Sequence, residues 1–389
     1  MAPTENVSSR CRRQKREDGS ASFQEAEVLW KKKPFLNSGE LMRKMKLTSF
    51  QKYLATQKID VVLLIHPDIT ITYFTQMKPS FAYLLIASRK AELYLTSLDK
   101  KPALPHIAVK ELQKKWAEKW LKSRIKRIGI NKKVMTVAQR ERIKKIFPKA
   151  RFVDISERLQ ELRAVKTPEE VRKIKKACEI TTNALAALVK EFHTKKLRTE
   201  LDVALFLEKK MREQGGEIAF PTIVAMGKNA AVPHHLTSRD RLHRGFLVLD
   251  FGASYQHYCA DMTRTLFLGT PTHQEKELYE LLLTSQQRAI EAIKEGTPFE
   301  HLDKVVRKAL GKYSSYFSHS LGHGVGIEVH EEPVFSDPNA KVQPNQVFTI
   351  EPGVYFLGRR GLRIEDTLVF NGKVTILTTF SKELISIPF

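Results

Sequence analysis

Four acidic side chains interrupt what would otherwise be apolar strands. Asp250 lies in LVLDFG, Asp261 in CADMTRT, Glu351 in FTIEPGVYF and Glu365 in LRIEDTLVF. A charge buried without a partner is too costly for a fold to carry, so these acids restrict how the chain can close. Asp250 and Asp261 are 11 residues apart, with the turn-like SYQHY between them. Glu351 and Glu365 are 14 apart, with LGRRG between them. A hairpin of either length can bring both acids onto one face of adjacent strands. Facing acids repel, so something positive must lie between them. Arg264 is one candidate and a metal ion is the other.

The pattern around these hairpins gives the fold class. KTPEEVRKIKKACEITTNALAALVKEF has Thr167 as N-cap, Pro168 at the first helical position and Glu170 closing a capping box. Thr199 and Asp202 repeat that relation in the next helix, and two further helices follow in 272–296 and 297–310. Helices segregate from hairpin-type strands, so this half reads as α+β with an antiparallel sheet. From Met45 to about residue 158 the pattern is instead α/β. A helix with apolar positions at Leu47, Phe50, Leu54 and Ile59 leads into the buried strand DVVLLIH. SFAYLLIAS and KAELYLTS read as a strand pair, RIGIN and RFVDIS as further strands, and 107–123 and 134–147 as basic amphipathic helices. The expected organisation is a basic, disordered extension over 1–44, an α/β domain over 45–158 and an α+β domain over 159–389.

The net charge is +23, and residues 101–150 alone hold sixteen basic residues against Glu111, Glu118 and Glu141. Such a surface can attract nucleic acid or another polyanion, or it is simply a solvated lysine-rich face. Few aromatics interleave the charges, so a single-strand stacking platform is poorly supported. Residues 1–44 lack the apolar core of a signal peptide, and RCRRQKR within them is a basic patch. No apolar run approaches the ~18–20 residues of a membrane span. Cys11, Cys178 and Cys259 are few and odd in number. A disulfide framework is therefore not expected, and a reducing cytoplasm fits.

SHSLGHGVGIEVHEEP supplies His319, His323 and His330. It is not a phosphate loop, because the Gly-Lys-Ser/Thr ending is absent. Gly322 and Gly324 flank His323 and imply close backbone approach or positive φ. Four carboxylates and one imidazole are too rich in oxygen for a structural zinc site. They suit two divalent ions sharing bridging carboxylates, with manganese, cobalt, iron or zinc acceptable. Two such ions can activate a water and polarise a carbonyl, so hydrolysis of an amide or ester is the natural reaction.

FPTIVAMGKNAAVPHH, LVLDFGASYQHYCADMTRT, SHSLGHGVGIEVHEEP, FTIEPGVYF and GLRIEDTLVF resemble, in order and spacing, the pita-bread metallopeptidases. These are Xaa-Pro dipeptidase (prolidase), Xaa-Pro aminopeptidase (aminopeptidase P) and methionine aminopeptidase. The first domain resembles the creatinase-type domain that precedes the proline-directed members, which disfavours methionine aminopeptidase. The resemblance implies that Asp250, Asp261, His323, Glu351 and Glu365 hold two divalent ions, manganese or cobalt first. Asp261 and Glu365 would bridge. It implies that Glu351 manages the proton of the attacking water and that His234 and His330 line the substrate pocket. It further implies proline-containing peptides as substrates and a homodimer. The competing reading is a catalytically idle adaptor that binds nucleic acid or protein through 101–150; the intact ligand set argues against it. His235 is undecided. His319 either orients a ligand or packs in a strand. Arg363 suits a structural ion pair and Cys259 a small core position. Some dipeptidase-type relatives carry an arginine after the HExP segment. Here Val334 takes that place, and Arg359 or Arg360 would have to compensate.

Overall fold

The computed structural model describes residues 38–122, 124–192, 194 and 196–388. The expectation for RCRRQKR and the rest of 1–37 lies outside them. Helix α1 (Ser38–Thr56) begins seven residues before Met45, inside the stretch expected to be an extension. The correction has a physical cause. Residues 38–44 carry little apolar periodicity, and Leu41 is exposed. They are held by charge instead, with Arg43 Nη1 3.0 Å from Glu169 Oε1.

The first region is built from β1 (Val61–Ile65), α2 (Ile69–Thr75), β2 (Ala82–Ala87), β3 (Lys90–Leu95), β4 (Ala108–Glu111), α3 (Glu118–Leu121), β5 (Arg127–Ile130), α4 (Val137–Ile146) and β6 (Arg151–Asp154). Its six strands form one mixed sheet in the order β4-β3-β2-β1-β5-β6. Alternate residues of β1 go to opposite faces, as the pleat requires. Val62 and Leu64 pack with Phe50 and Leu54 of α1. Val61, Leu63 and Ile65 pack with Trp120, Ile143 and Phe147. Both faces are covered, which is why VVLLI carries no polar residue. The helix expected over 107–123 is not a single helix. Its first part is the edge strand β4, parallel to β3, and only Glu118–Leu121 is helical. Lys110 on β4 reaches the buried Glu92 of β3 at 2.7 Å, and this tertiary pairing overrides the helical spacing.

The second region starts with α5 (Ser156–Ala164), α6 (Pro168–Glu191) and α7 (Glu200–Glu213). Both expected capping boxes form, Thr167 with Glu170 and Thr199 with Asp202. Strands β7 (Glu217–Ile218), β8 (Ile223–Met226), β9 (Gly245–Phe251), β10 (Ala253–Tyr255), β11 (Tyr258–Cys259) and β12 (Met262–Leu268) follow. Next come α8 (His273–Glu291) and α9 (Phe299–Leu310). The chain ends with β13 (His323–Gly324), β14 (Glu331–Val334), β15 (Gln346–Ile350), β16 (Gly353–Phe356), β17 (Arg360–Arg363), β18 (Asp366–Phe370), β19 (Val374–Ile376) and β20 (Ser386–Ile387).

Two sheets carry the architecture, β20-β12-β9-β8 and β14-β13-β15-β18-β19. Each takes one helix pair. Leu185, Leu188, Leu207 and Met211 of α6 and α7 bury Leu247, Leu249 and Leu266. Leu282, Phe299, Leu302 and Val306 of α8 and α9 bury Phe348, Ile350 and Leu368. The sheets meet where the Glu365 N–H donates to the Thr263 carbonyl and Thr367 Oγ1 donates to the Asp261 carbonyl. This is the α+β arrangement expected. Among the described residues no helix is long and apolar enough to cross a membrane.

Candidate metal centre

The four acids lie at irregularities in the strands, not in their middles. Asp250 is next to last in β9, and Asp261 is one residue ahead of β12. In the β9–β12 register Asp250 faces Thr263 and Phe251 faces Met262, so the two aspartates are not directly opposed. FTIEPGVYF and LRIEDTLVF each divide. β15 pairs with β18 up to Ile350 and Asp366, and β16 pairs with β17 from Gly353 and Arg363. Both strands of this hairpin break at one level, and Glu351 and Glu365 occupy the breaks. A kinked backbone turns an acid inward where a regular strand would leave it on the pleat.

His323 comes from the third direction. A Cβ on Gly322 would strike the Thr349 carbonyl, and one on Gly324 would strike the Glu332 carbonyl. Close backbone approach, not positive φ, therefore explains both glycines. The His323 N–H donates to Thr349 Oγ1 at 3.1 Å, and Nδ1 lies 3.2 Å from the Gly324 carbonyl. A carbonyl only accepts, so Nδ1 carries the proton and Nε2 presents its lone pair. Nε2 is 3.6 Å from Asp261 Oδ2 and 3.3 Å from Glu351 Oε1. One donor atom each from Asp261, His323 and Glu365 lie within 4.8 Å of one another.

All five candidate ligands line one cavity of about 450 Å³, together with His234, His319, His330 and Arg363. The electrostatics of this cluster call for a cation. Burial first, then the charges of Glu365, Asp250 and Glu351, push the Asp261 carboxyl well above its usual range. Burial and Glu365 do the same to Glu351. Burial and Asp250 push Glu365 up to about 8. Burial lowers His323 to about 3, so the imidazole is neutral. Asp250 Oδ1 and Asp261 Oδ1 are buried without a hydrogen-bond partner. Orphaned carboxylate oxygens, mutual repulsion and a neutral imidazole lone pair are what divalent cations satisfy. The donor set is the oxygen-rich, single-nitrogen kind that suits such ions.

The positive partner expected from Arg264 comes from elsewhere. Arg264 turns away to Asp366 at 2.7 Å, which also receives Lys382 at 2.9 Å. Arg363 is the residue that holds Asp250, in line with the ion pair expected of it. Its Nη1 donates to the Tyr355 hydroxyl at 2.8 Å and its Nε to Thr263 Oγ1 at 3.0 Å. His319 Nε2 lies 2.8 Å from the same hydroxyl, and its Nδ1 is 4.0 Å from Glu351 Oε2. His330 lies tilted against His323, with ring centroids 4.1 Å apart, and His234 lies on the cavity wall. His235 instead binds the buried Glu200 at 2.9 Å and is structural. Cys259 is a buried free thiol. Val334 lines the cavity but Arg359 and Arg360 do not; Arg360 lies 4.0 Å from Glu275. Sequence reasoning missed Thr263, which donates to Glu365 Oε2 at 2.7 Å. It also missed Thr349, which donates to Glu351 Oε1 at 3.3 Å, and the wall residue Gln160. Threonines in strands and a glutamine in a helix carry no pattern that would mark them.

Comparison with known proteins agrees with this geometry. Residues 46–165 match the Creatinase/Prolidase N-terminal domain, and residues 172–371 match Metallopeptidase family M24. The chain is 35% identical over 354 residues to an Xaa-Pro dipeptidase of Pyrococcus furiosus, covering 88% of this chain and 100% of that one. It superposes on the prolidase structure from Pyrococcus horikoshii with a TM-score of 0.80 at 34% identity, covering 88% of this chain and 100% of that one. An X-Pro aminopeptidase structure from Thermotoga maritima gives a TM-score of 0.77 at 32% identity, covering 85% and 98%. With its acids gathered in one cavity and both domain types matched along its length, the chain belongs to metallopeptidase family M24.

Proposed function

We propose that this metallopeptidase is a two-metal exopeptidase that cleaves the bond between an N-terminal residue and proline. The observation that carries the reading is the convergence of Asp250, Asp261, His323, Glu351 and Glu365 on one cavity, with two buried carboxylate oxygens left without partners. In this reading the five residues would hold two divalent ions, manganese or cobalt first and zinc or iron as substitutes. Bound there, the ions supply Lewis acidity and a water acidified toward neutral pH.

The chain's own residues do the rest. Glu351 takes the proton of the attacking water and returns it to the departing proline nitrogen. His330 and His234, on the wall, donate to the scissile carbonyl oxygen as it gains charge. Arg363 holds Asp250 in place through their ion pair. The relatives named Xaa-Pro dipeptidase and X-Pro aminopeptidase support a proline-led substrate. We take the protein to be a homodimer and to work in the cytoplasm, where the buried thiols of Cys178 and Cys259 stay reduced. The domain limits that accompany this reading are 45–158 and 159–389, the former extended forward to Ser38.

The test is hydrolysis by metal-stripped protein reloaded with manganese or cobalt. Xaa-Pro dipeptides and Xaa-Pro-Yaa tripeptides are expected to be cleaved and Met-Ala peptides spared. No hydrolysis with any metal would sink the reading. Asp261→Ala is expected to lose bound metal, measured by elemental analysis, together with activity. Full activity in that variant would refute the ligand assignment.

A further inference from the structure

The strongest feature outside the peptidase cavity is a groove of about 830 Å³ at the β5–β6 end of the first sheet. Arg124, Lys126, Arg127, Lys149 and Arg151 line it, and neither Asp nor Glu does. None of these five makes an ion pair among the described residues. The nearby Asp60 carboxylate accepts the backbone N–H groups of Lys126 and Arg127 at 2.7 and 2.8 Å and leaves the groove with a net positive charge.

The register makes the concentration of charge deliberate in physical terms. Arg127 and Arg151 are direct partners in the parallel β5–β6 pair, and both are exposed. Like charges placed side by side on a sheet weaken the pairing. The Arg151 N–H donates to the Lys126 carbonyl at 2.7 Å, which brings a third cation to the same spot. A cluster that costs stability when empty is relieved by an anion that bridges it.

We propose that this groove binds the phosphodiester backbone of a nucleic acid duplex without regard to sequence. Five cations lining one groove suit the repeated charge of a phosphate backbone, and arginine forks bind phosphate bidentately. The one aromatic ring in the groove, Phe147, is buried. No platform for stacking unpaired bases exists there, which favours a duplex over a single strand. The groove's residues belong to the first region and are absent from the peptidase cavity, so this site adds to the peptidase function and leaves it intact.

The experiment uses the full chain and a fluorescein-labelled RNA duplex, read by anisotropy. If all five cations meet phosphates, affinity falls on the order of several hundredfold between ~50 and ~200 mM salt. The double reversal Arg127→Glu with Arg151→Glu is expected to weaken binding at least tenfold at low salt. It should also reduce the log–log salt slope by about two, with Xaa-Pro hydrolysis unchanged. Lys175→Glu with Lys308→Glu, exposed and distant in the chain, changes net charge equally and is expected to retain most of the binding. Binding that ignores the groove reversal, or falls equally in the control pair, overturns the proposal. So does capture by phosphatidylserine vesicles without duplex binding.

Discussion

Arg363 shows how much of the centre depends on residues that are not ligands. Its guanidinium can only donate, and the Ser320 carbonyl that lies 2.8 Å from His319 Nδ1 can only accept. The chain between them therefore has one direction. Arg363 donates to Tyr355, Tyr355 donates to His319 Nε2, and His319 Nδ1 donates to Ser320. Burial holds His319 down at about 4, so it stays neutral and the direction is kept. Arg363 is also the one lysine or arginine among the described cavity-lining residues, and its nitrogens are taken by Asp250, Tyr355 and Thr263. A dipeptide's free carboxylate must find its cation elsewhere. Gln160 is what α5 contributes to the wall, and Lys133 Nζ, from the first region, lies 2.6 Å from its Oε1. Lys133→Ala is therefore expected to raise KM for Xaa-Pro dipeptides roughly two- to fivefold, the worth of one exposed charge pair. KM for carboxyl-amidated Xaa-Pro-Yaa should stay unchanged. An equal rise for both substrates would rule out carboxylate recognition. The four acids of the cavity were legible in the sequence because an acid inside an apolar run is rare. Arg363 was legible as an ion-pair residue, but Tyr355 and Gln160 were not legible in these roles, because their partners lie in distant segments.

Among the elements, helices were the most readable because their ends are written in local chemistry. Thr167 Oγ1 accepts from the Glu170 N–H at 3.2 Å, and Glu170 accepts from the Thr167 N–H at 2.6 Å. Thr167→Ala removes one half of that box and is expected to cost about 1 kcal/mol. The cost would appear as a lower urea midpoint at unchanged slope. An unchanged midpoint would mean that Glu170 alone fixes the start of α6. Strands were less readable. Their periodicity gave the runs around Glu351 and Glu365 but not the breaks within them, because both breaks are set by pairing across the hairpin. The same blindness turned β4 into a helix, since its partner Glu92 is a distant residue.

At the scale of the molecule, the two regions are joined by buried charge. On the second region's side of the seam, Lys166 Nζ and Glu331 Oε1 are 2.9 Å apart with side chains 1% and 2% exposed. Arg163 reaches Glu328 at 2.6 Å. Glu170 collects three groups: Lys46 from α1 at 2.9 Å, the Tyr258 hydroxyl at 2.9 Å and the Thr167 amide. No periodicity reveals this seam, because its members come from α1, α5, α6, β11, β14 and the loops at Lys166 and Glu328, far apart in sequence. It has a pH signature. Burial pushes the Glu170 carboxyl up, but Lys46 and the Thr167 amide outweigh it, and the net shift is downward from 4.5. A carboxyl depressed in the folded state contributes stability that is fully present above its unfolded value. That contribution is lost as pH falls through the folded value. Glu170→Gln keeps an acceptor for the Thr167 amide but no charge for Lys46. At neutral pH the variant is therefore expected to melt below the parent. The gap should close as pH is lowered past 4.5, because the parent then loses the same charge. Melting curves between neutral pH and the acid limb read this directly. A gap that stays constant would place Glu170's contribution in hydrogen bonding and packing, and the pair with Lys46 would then not be what joins α1 to the second region.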